Sequence, residues 1–148
     1  MEIAALPHID EHATVAAAPA EAVRRAVGEV LDRSLGSGLG RLLGCADRTS
    51  SGPRPPAEGS TFPGFRVVRA APGGELVLVG RHHFSTYALI FRWEEAAAGG
   101  TRLRAETRAR FPGPGGALYR LLLMRTGAHA VATGRLLAAI RERAERLR

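Results

Sequence analysis

Three side chains on one short stretch could do chemistry together: His83, Ser85 and Tyr87, in the run GRHHFSTYALIFRW from Gly80 to Trp93. An imidazole, a hydroxyl and a phenol at every second position of a strand fall on one face, spaced roughly 6–7 Å apart. There they could orient a ligand oxygen or move a proton. The same face continues through Leu89, Phe91 and Trp93, so its upper half is polar and its lower half apolar. A wall of a cavity for a mostly apolar ligand with one polar end would look like this. An ordinary half-buried strand, its polar groups bonded to backbone or water, would look the same.

Two further groups invite attention. Arg125 and His129 stand four residues apart in an apolar, helical stretch. On a helix lining a cavity they would receive a carboxylate or enolate oxygen; on an exposed edge, Arg125 would instead pair with an acid such as Glu106. His82 and His83 do not make a metal site, because adjacent strand residues point to opposite faces. The remaining histidines are His8, His12 and His129, and we expect no metal and no cofactor. No G-x-S-x-G elbow supports a serine hydrolase. The glycines at 36, 38, 40 and 44 do not fit G-x-G-x-x-G and follow a helix, which excludes a dinucleotide loop.

The elements that must position these groups follow from periodicity. Glu11 to Ala18 reads as a first strand, and the segment from Pro19 as a helix with Val23, Val27, Val30 and Leu31 on one stripe, stopped near Gly36. GSGLGRLLG reads as a short helix or turn, and Ser50–Ser60 as a surface loop within one domain spanning 1–148. Strands follow at Phe65–Ala70, Glu75–Gly80, Gly80–Trp93 and Thr101–Phe111. In the last, Thr101, Leu103, Ala105, Thr107 and Ala109 face inward while Arg102, Arg104, Glu106, Arg108 and Arg110 face water. After the FPGPGG loop, everything from Ala117 reads as one long helix. Strands in meander closed by a single apolar-striped helix form an α+β helix-grip arrangement, a curved antiparallel sheet wrapped around that helix.

Composition narrows the setting. The 148 residues suffice for one core, and the single Cys45 excludes an internal disulfide, which fits a reducing, cytoplasmic compartment. The N-terminus lacks the basic and apolar regions of a secretory signal, and no apolar run reaches the ~20 residues of a membrane span. The net charge is +7, and every basic residue is an arginine. Eleven of those arginines, against three acids, fall in residues 101–148. Without interleaved aromatic residues this does not read as a nucleic-acid surface; a solvated face comes first, then membrane-surface contact. Phe84, Ala88 and Ile90, on the strand face away from His83, leave room for a homodimer partner.

The run PGGELVLVGRHHFSTYALIFRW, then GGTRLRAETRARFPG, then a closing helix, resembles the bacterial START-like proteins of the SRPBCC superfamily, which includes polyketide cyclases and dehydrases. The resemblance covers roughly residues 60–125 and implies a hydrophobic cavity between sheet and C-terminal helix, but no reaction. On it we expect a non-catalytic protein that binds a small, largely hydrophobic, lipid- or polyketide-like ligand. His83, Ser85, Tyr87, Leu89, Phe91, Leu103, Arg125 and His129 are the candidate contacts. The alternatives are a cyclase or dehydratase working through His83, Tyr87 or His129, and a membrane-surface or protein-partner module using the arginine-rich C-terminal third.

Overall fold

A computed structural model describes residues 2–35, 44, 46–47 and 49–148. Most of the glycine-rich stretch expected as a short helix lies outside the described residues. Six strands form one antiparallel sheet in the order β1-β6-β5-β4-β3-β2. They are β1 (His8–Ala16), β2 (Thr61–Phe62), β3 (Phe65–Ala71), β4 (Glu75–His82), β5 (Ser85–Glu95) and β6 (Thr101–Arg110). Helix α1 spans Ala20–Ser34, α2 Gly113–Arg125 and α3 Ala128–Leu147.

The long strand read from Gly80 is a hairpin. β4 runs to His82, turns through His83 and Phe84, and β5 begins at Ser85, which pairs with His82. A two-residue turn exchanges parity, so odd positions of β5 share a face with even positions of β4. Ser85, Tyr87, Leu89 and Phe91 therefore lie beside His82, Gly80, Leu78 and Leu76. His83 is in the turn.

The C-terminal helix is likewise two helices. Gly127 takes φ 71°, the left-handed conformation that ends a helix at little cost only in glycine, and α3 restarts at Ala128. The FPGPGG segment is also not all loop: α2 begins at Gly113, with proline in its first turn, where the missing N–H costs nothing.

The concave face divides in two. At one end Val23, Val27, Val30 and Leu31 of α1 and Leu137, Ile140 and Ala144 of α3 pack on Leu76, Leu78, Phe91, Trp93, Leu103 and Ala105. All are at most 5% exposed, a solid core. At the other end, α2 buries only Gly116 and stands over a hollow.

The convex face is not a bare solvated ladder. Leu6, Val79 and Ala88 make a second small core there, with Ile3 against it. Ala88 and Ile90 are thus buried within the chain itself and give no argument for a partner subunit. Arg108 and Arg110 donate to the carbonyls of Leu6 and Ala5, pinning the N-terminal segment across the sheet. Glu106 is 7% exposed and accepts from His8 Nδ1 at 2.8 Å, Arg92 Nη1 at 3.0 Å and Arg108 Nε at 3.0 Å. Burial alone would raise its pKa; the bonds from His8 and Arg92 and the charges of Arg108 and Arg92 outweigh it and hold the carboxyl below its ordinary value. Glu106→Ala should therefore cost about 2–3 kcal/mol at neutral pH, by removing the carboxylate on which three donors converge while Arg92 keeps only Glu75 and Arg108 only the Leu6 carbonyl. Because the folded pKa is depressed, this stability is complete above the ordinary glutamate pKa and is lost as pH falls through the lowered value. Thermal melts should show the gap between variant and wild type closing in acid.

Candidate functional site

The hollow is a cavity of about 580 Å³ between the upper sheet and the C-terminal helices. β5 supplies Ser85, Tyr87 and Leu89, β4 His82, β6 Thr107 and Ala109, and β3 Phe65; α2 closes it with Tyr119, Leu123 and Met124, and α3 with Ala128, His129, Ala132 and Thr133. The cavity exists because the chain breaks at Gly127: a continuous helix would carry α2 along the axis of α3 instead of turning it across this opening.

Polar groups gather at two places on an otherwise apolar wall. The first is around His82. Its ring lies 5.5 Å from that of Tyr87 and 5.0 Å, edge-on, from that of Tyr119. The Phe84 backbone N–H donates to His82 Nδ1 at 3.1 Å, so Nδ1 is an acceptor and the ring proton sits on Nε2. Burial, and secondarily the neighbouring His83, push the His82 pKa down, so the ring is a neutral hydrogen-bond donor at physiological pH. The Tyr87 hydroxyl donates to the Gly64 carbonyl at 2.7 Å, and its ring meets Phe65 edge-on at 5.2 Å. Tyr87 lies across Gly80, its cross-strand partner; a β-carbon at Gly80 would collide with the Tyr87 ring and the Gly64 carbonyl. Ser85, 3% exposed, completes this end.

The second polar place is His129, whose Nε2 lies 3.1 Å from Thr107 Oγ1 and 3.4 Å from Asp10 Oδ1. Asp10 also meets His12 Nε2 at 3.2 Å. The carboxylate fixes the imidazole from behind the wall rather than lining the cavity itself. Every described lining residue is uncharged or a histidine. Among the described residues no cluster of three histidine, cysteine or carboxylate side chains could hold a metal ion.

Of the residues singled out by sequence, Ser85, Tyr87, Leu89 and His129 border the cavity. His83 does not, because the β4–β5 turn displaces it, and His82 stands in its place. Phe91 and Leu103 face inward but lie in the solid core, one to two residue pairs too deep. Arg125 is exposed at the end of α2, parted from His129 by the break at Gly127, and Glu106 is committed on the opposite face of the sheet. Tyr119 and Phe111 were missed; the available signal was an aromatic opening the FPGPGG segment and another three residues beyond it.

No protein-family model matches the chain, and no curated protein matches it by sequence. Solved structures do match its shape over nearly its whole length. A START superfamily protein from Mycobacterium smegmatis superposes with a TM-score of 0.51 at 17% identity, covering 95% of this chain and 99% of the other. The fold is START-like. A conserved protein from Geobacillus kaustophilus gives 0.60 at 12% identity, over 92% and 94% of the two chains. CalU16 from Micromonospora echinospora gives 0.54 at 14%, over 95% and 92%. At such identities the likeness shows the fold alone, and the START-like chain's own side chains must argue its use.

Proposed function

We propose that this chain binds a neutral, largely apolar small molecule that carries a hydroxyl or carbonyl group at one end. The observation that carries the reading is a cavity of about 580 Å³ with no permanently charged side chain on its described walls. That volume is in the usual range for small-molecule sites. A carboxylate or phosphate would lose hydration there and, among the described lining residues, meet no permanent cation, which disfavours it. A ligand carbonyl would accept from His82 Nε2–H, with Ser85 beside it, while Leu89, Phe65, Leu123 and Met124 hold the apolar body.

A second reading, a cyclase or dehydratase acting on a polyketide-like carbonyl substrate, is favoured by one arrangement. His82 and Tyr87 face each other across the hairpin, and His129 is backed by a carboxylate. That pairing resembles an imidazole held for proton transfer. It would require Tyr87 to exchange its bond to Gly64 for one to substrate.

Native mass spectrometry of the purified protein, followed by organic extraction, tests the first reading. A stoichiometric neutral amphiphile is the expected result; a released carboxylate or phosphate ester would overturn it. His82→Ala and Tyr87→Phe then separate the two readings. Weaker binding with no turnover to lose marks a carrier, and turnover lost with binding retained marks the enzyme.

A further inference from the structure

The cavity carries a hydrogen-bond donor at one level and an acceptor at another. At the hairpin end, His82 Nδ1 accepts from the Phe84 N–H, which leaves Nε2–H as a donor with no acceptor among the described residues. On α3 the opposite nitrogen is committed. His129 Nε2 lies 3.4 Å from Asp10 Oδ1 and 3.1 Å from Thr107 Oγ1. An ionised carboxylate can only accept, so in the neutral ring the proton is on Nε2 and Nδ1 keeps its lone pair. His12 Nε2 meets the other carboxylate oxygen of Asp10 at 3.2 Å and helps to hold it in place. His129 Nδ1 has no partner among the described residues, and both rings border the same largely apolar hollow.

The sheet sets the distance between these two groups. His82 is the cross-strand partner of Ser85, and Thr107, which meets His129, is the partner of Leu89. Four residues of β5 separate the two levels, about 13 Å at the rise of a strand. Between the levels stand Tyr87 and Ala109, and the Tyr87 hydroxyl is committed to the Gly64 carbonyl. A molecule bonded to both histidines would place its two oxygens roughly 7–10 Å apart, once the hydrogen-bond lengths at either end are subtracted.

We propose that the ligand is bifunctional: a neutral hydroxyketone whose carbonyl accepts from His82 Nε2–H and whose distant hydroxyl donates to His129 Nδ1. The proposal rests on the cavity-binding reading above and narrows it, from one polar end to two of opposite hydrogen-bonding sense. A second carbonyl at His129 would face a lone pair with a lone pair, and an apolar end would leave Nδ1 dry and unpaired.

Nuclear magnetic resonance titrations of the whole chain, read at its backbone amides, test this with three probes: 8-hydroxyoctan-2-one, 2-nonanone and nonane-2,8-dione. The first two differ only in a hydroxyl for a methyl group, so a wall with no acceptor would hold 2-nonanone more tightly. The hydroxyketone should instead bind about tenfold tighter than either other probe. His129→Phe should abolish that preference and leave 2-nonanone binding within about twofold of wild type. Proton–nitrogen correlation spectra of the wild-type imidazoles need no substitution, and should show the proton on Nε2 of both His82 and His129. The proposal is overturned, with the cavity reading left standing, if 2-nonanone or the diketone binds as tightly as the hydroxyketone. It is equally overturned if folded His129→Phe keeps the preference, or if neutral His129 carries its proton on Nδ1. Binding of none of the three probes would overturn both readings together.

Discussion

Replacing Gly80 with alanine should cost about 3 kcal/mol and lower the melting temperature by roughly 10 °C, the largest effect we expect from a single methyl group. Gly80 sits inside β4, where glycine normally weakens a strand. Here its missing side chain is the space in which the Tyr87 ring lies, with the Tyr87 hydroxyl reaching over to the Gly64 carbonyl. A methyl group would meet two obstacles at once. The ring can rotate away, but the Gly64 carbonyl belongs to the backbone and cannot yield without moving the β2–β3 turn. Tyr87→Leu in the Gly80→Ala background should therefore recover only part of the loss. Full recovery would mean that the ring is the sole obstacle, and an unchanged melting temperature for Gly80→Ala would refute the packing argument itself.

Filling the cavity should remove binding while sparing the fold. Ala109, 4% exposed, points inward from β6 opposite Tyr87. Ala109→Trp places an indole in the middle of the hollow and should weaken ligand binding at least 100-fold, about 3 kcal/mol. Stability should hold or rise, since the new ring fills space that no protein atom occupies. Where Ala109→Trp proves poorly folded, Ala132→Trp approaches the same volume from α3. Undiminished retention of the co-purified molecule in a folded variant would place that molecule elsewhere on the protein.

The sequence carried the sheet more legibly than the cavity. β6 was readable because its alternation runs unbroken from Thr101 to Arg110, and its two faces do meet different surroundings. The β4–β5 turn was not readable, because His82, His83 and Phe84 are not residues that mark turns. Counting in twos through that turn placed His83 where His82 belongs, while every position after it came out on the correct face. The helix break was signalled by Gly127 alone, and a lone glycine in an apolar stretch is as often tolerated as obeyed. Depth along the strand was the remaining gap. Periodicity says which way Phe91 and Leu103 point, but whether helix packing has filled the space above them depends on α1 and α3, which lie far away in sequence.

The pairing of the first strand with the last has a consequence for how the protein is made. Among the described strands β1 pairs only with β6, with His8 opposite Arg108 and Ala16 opposite Thr101. As the chain leaves the ribosome, β3, β4 and β5 can form their hairpins as soon as they emerge, whereas β1 must wait with neither edge paired until residue 110 is clear of the exit tunnel. Closing that long loop is the slow, entropically costly event in assembly. The arginines that clasp Ala5 and Leu6 lie on the very strand that arrives last, so the N-terminus is fastened by the same step that completes the sheet.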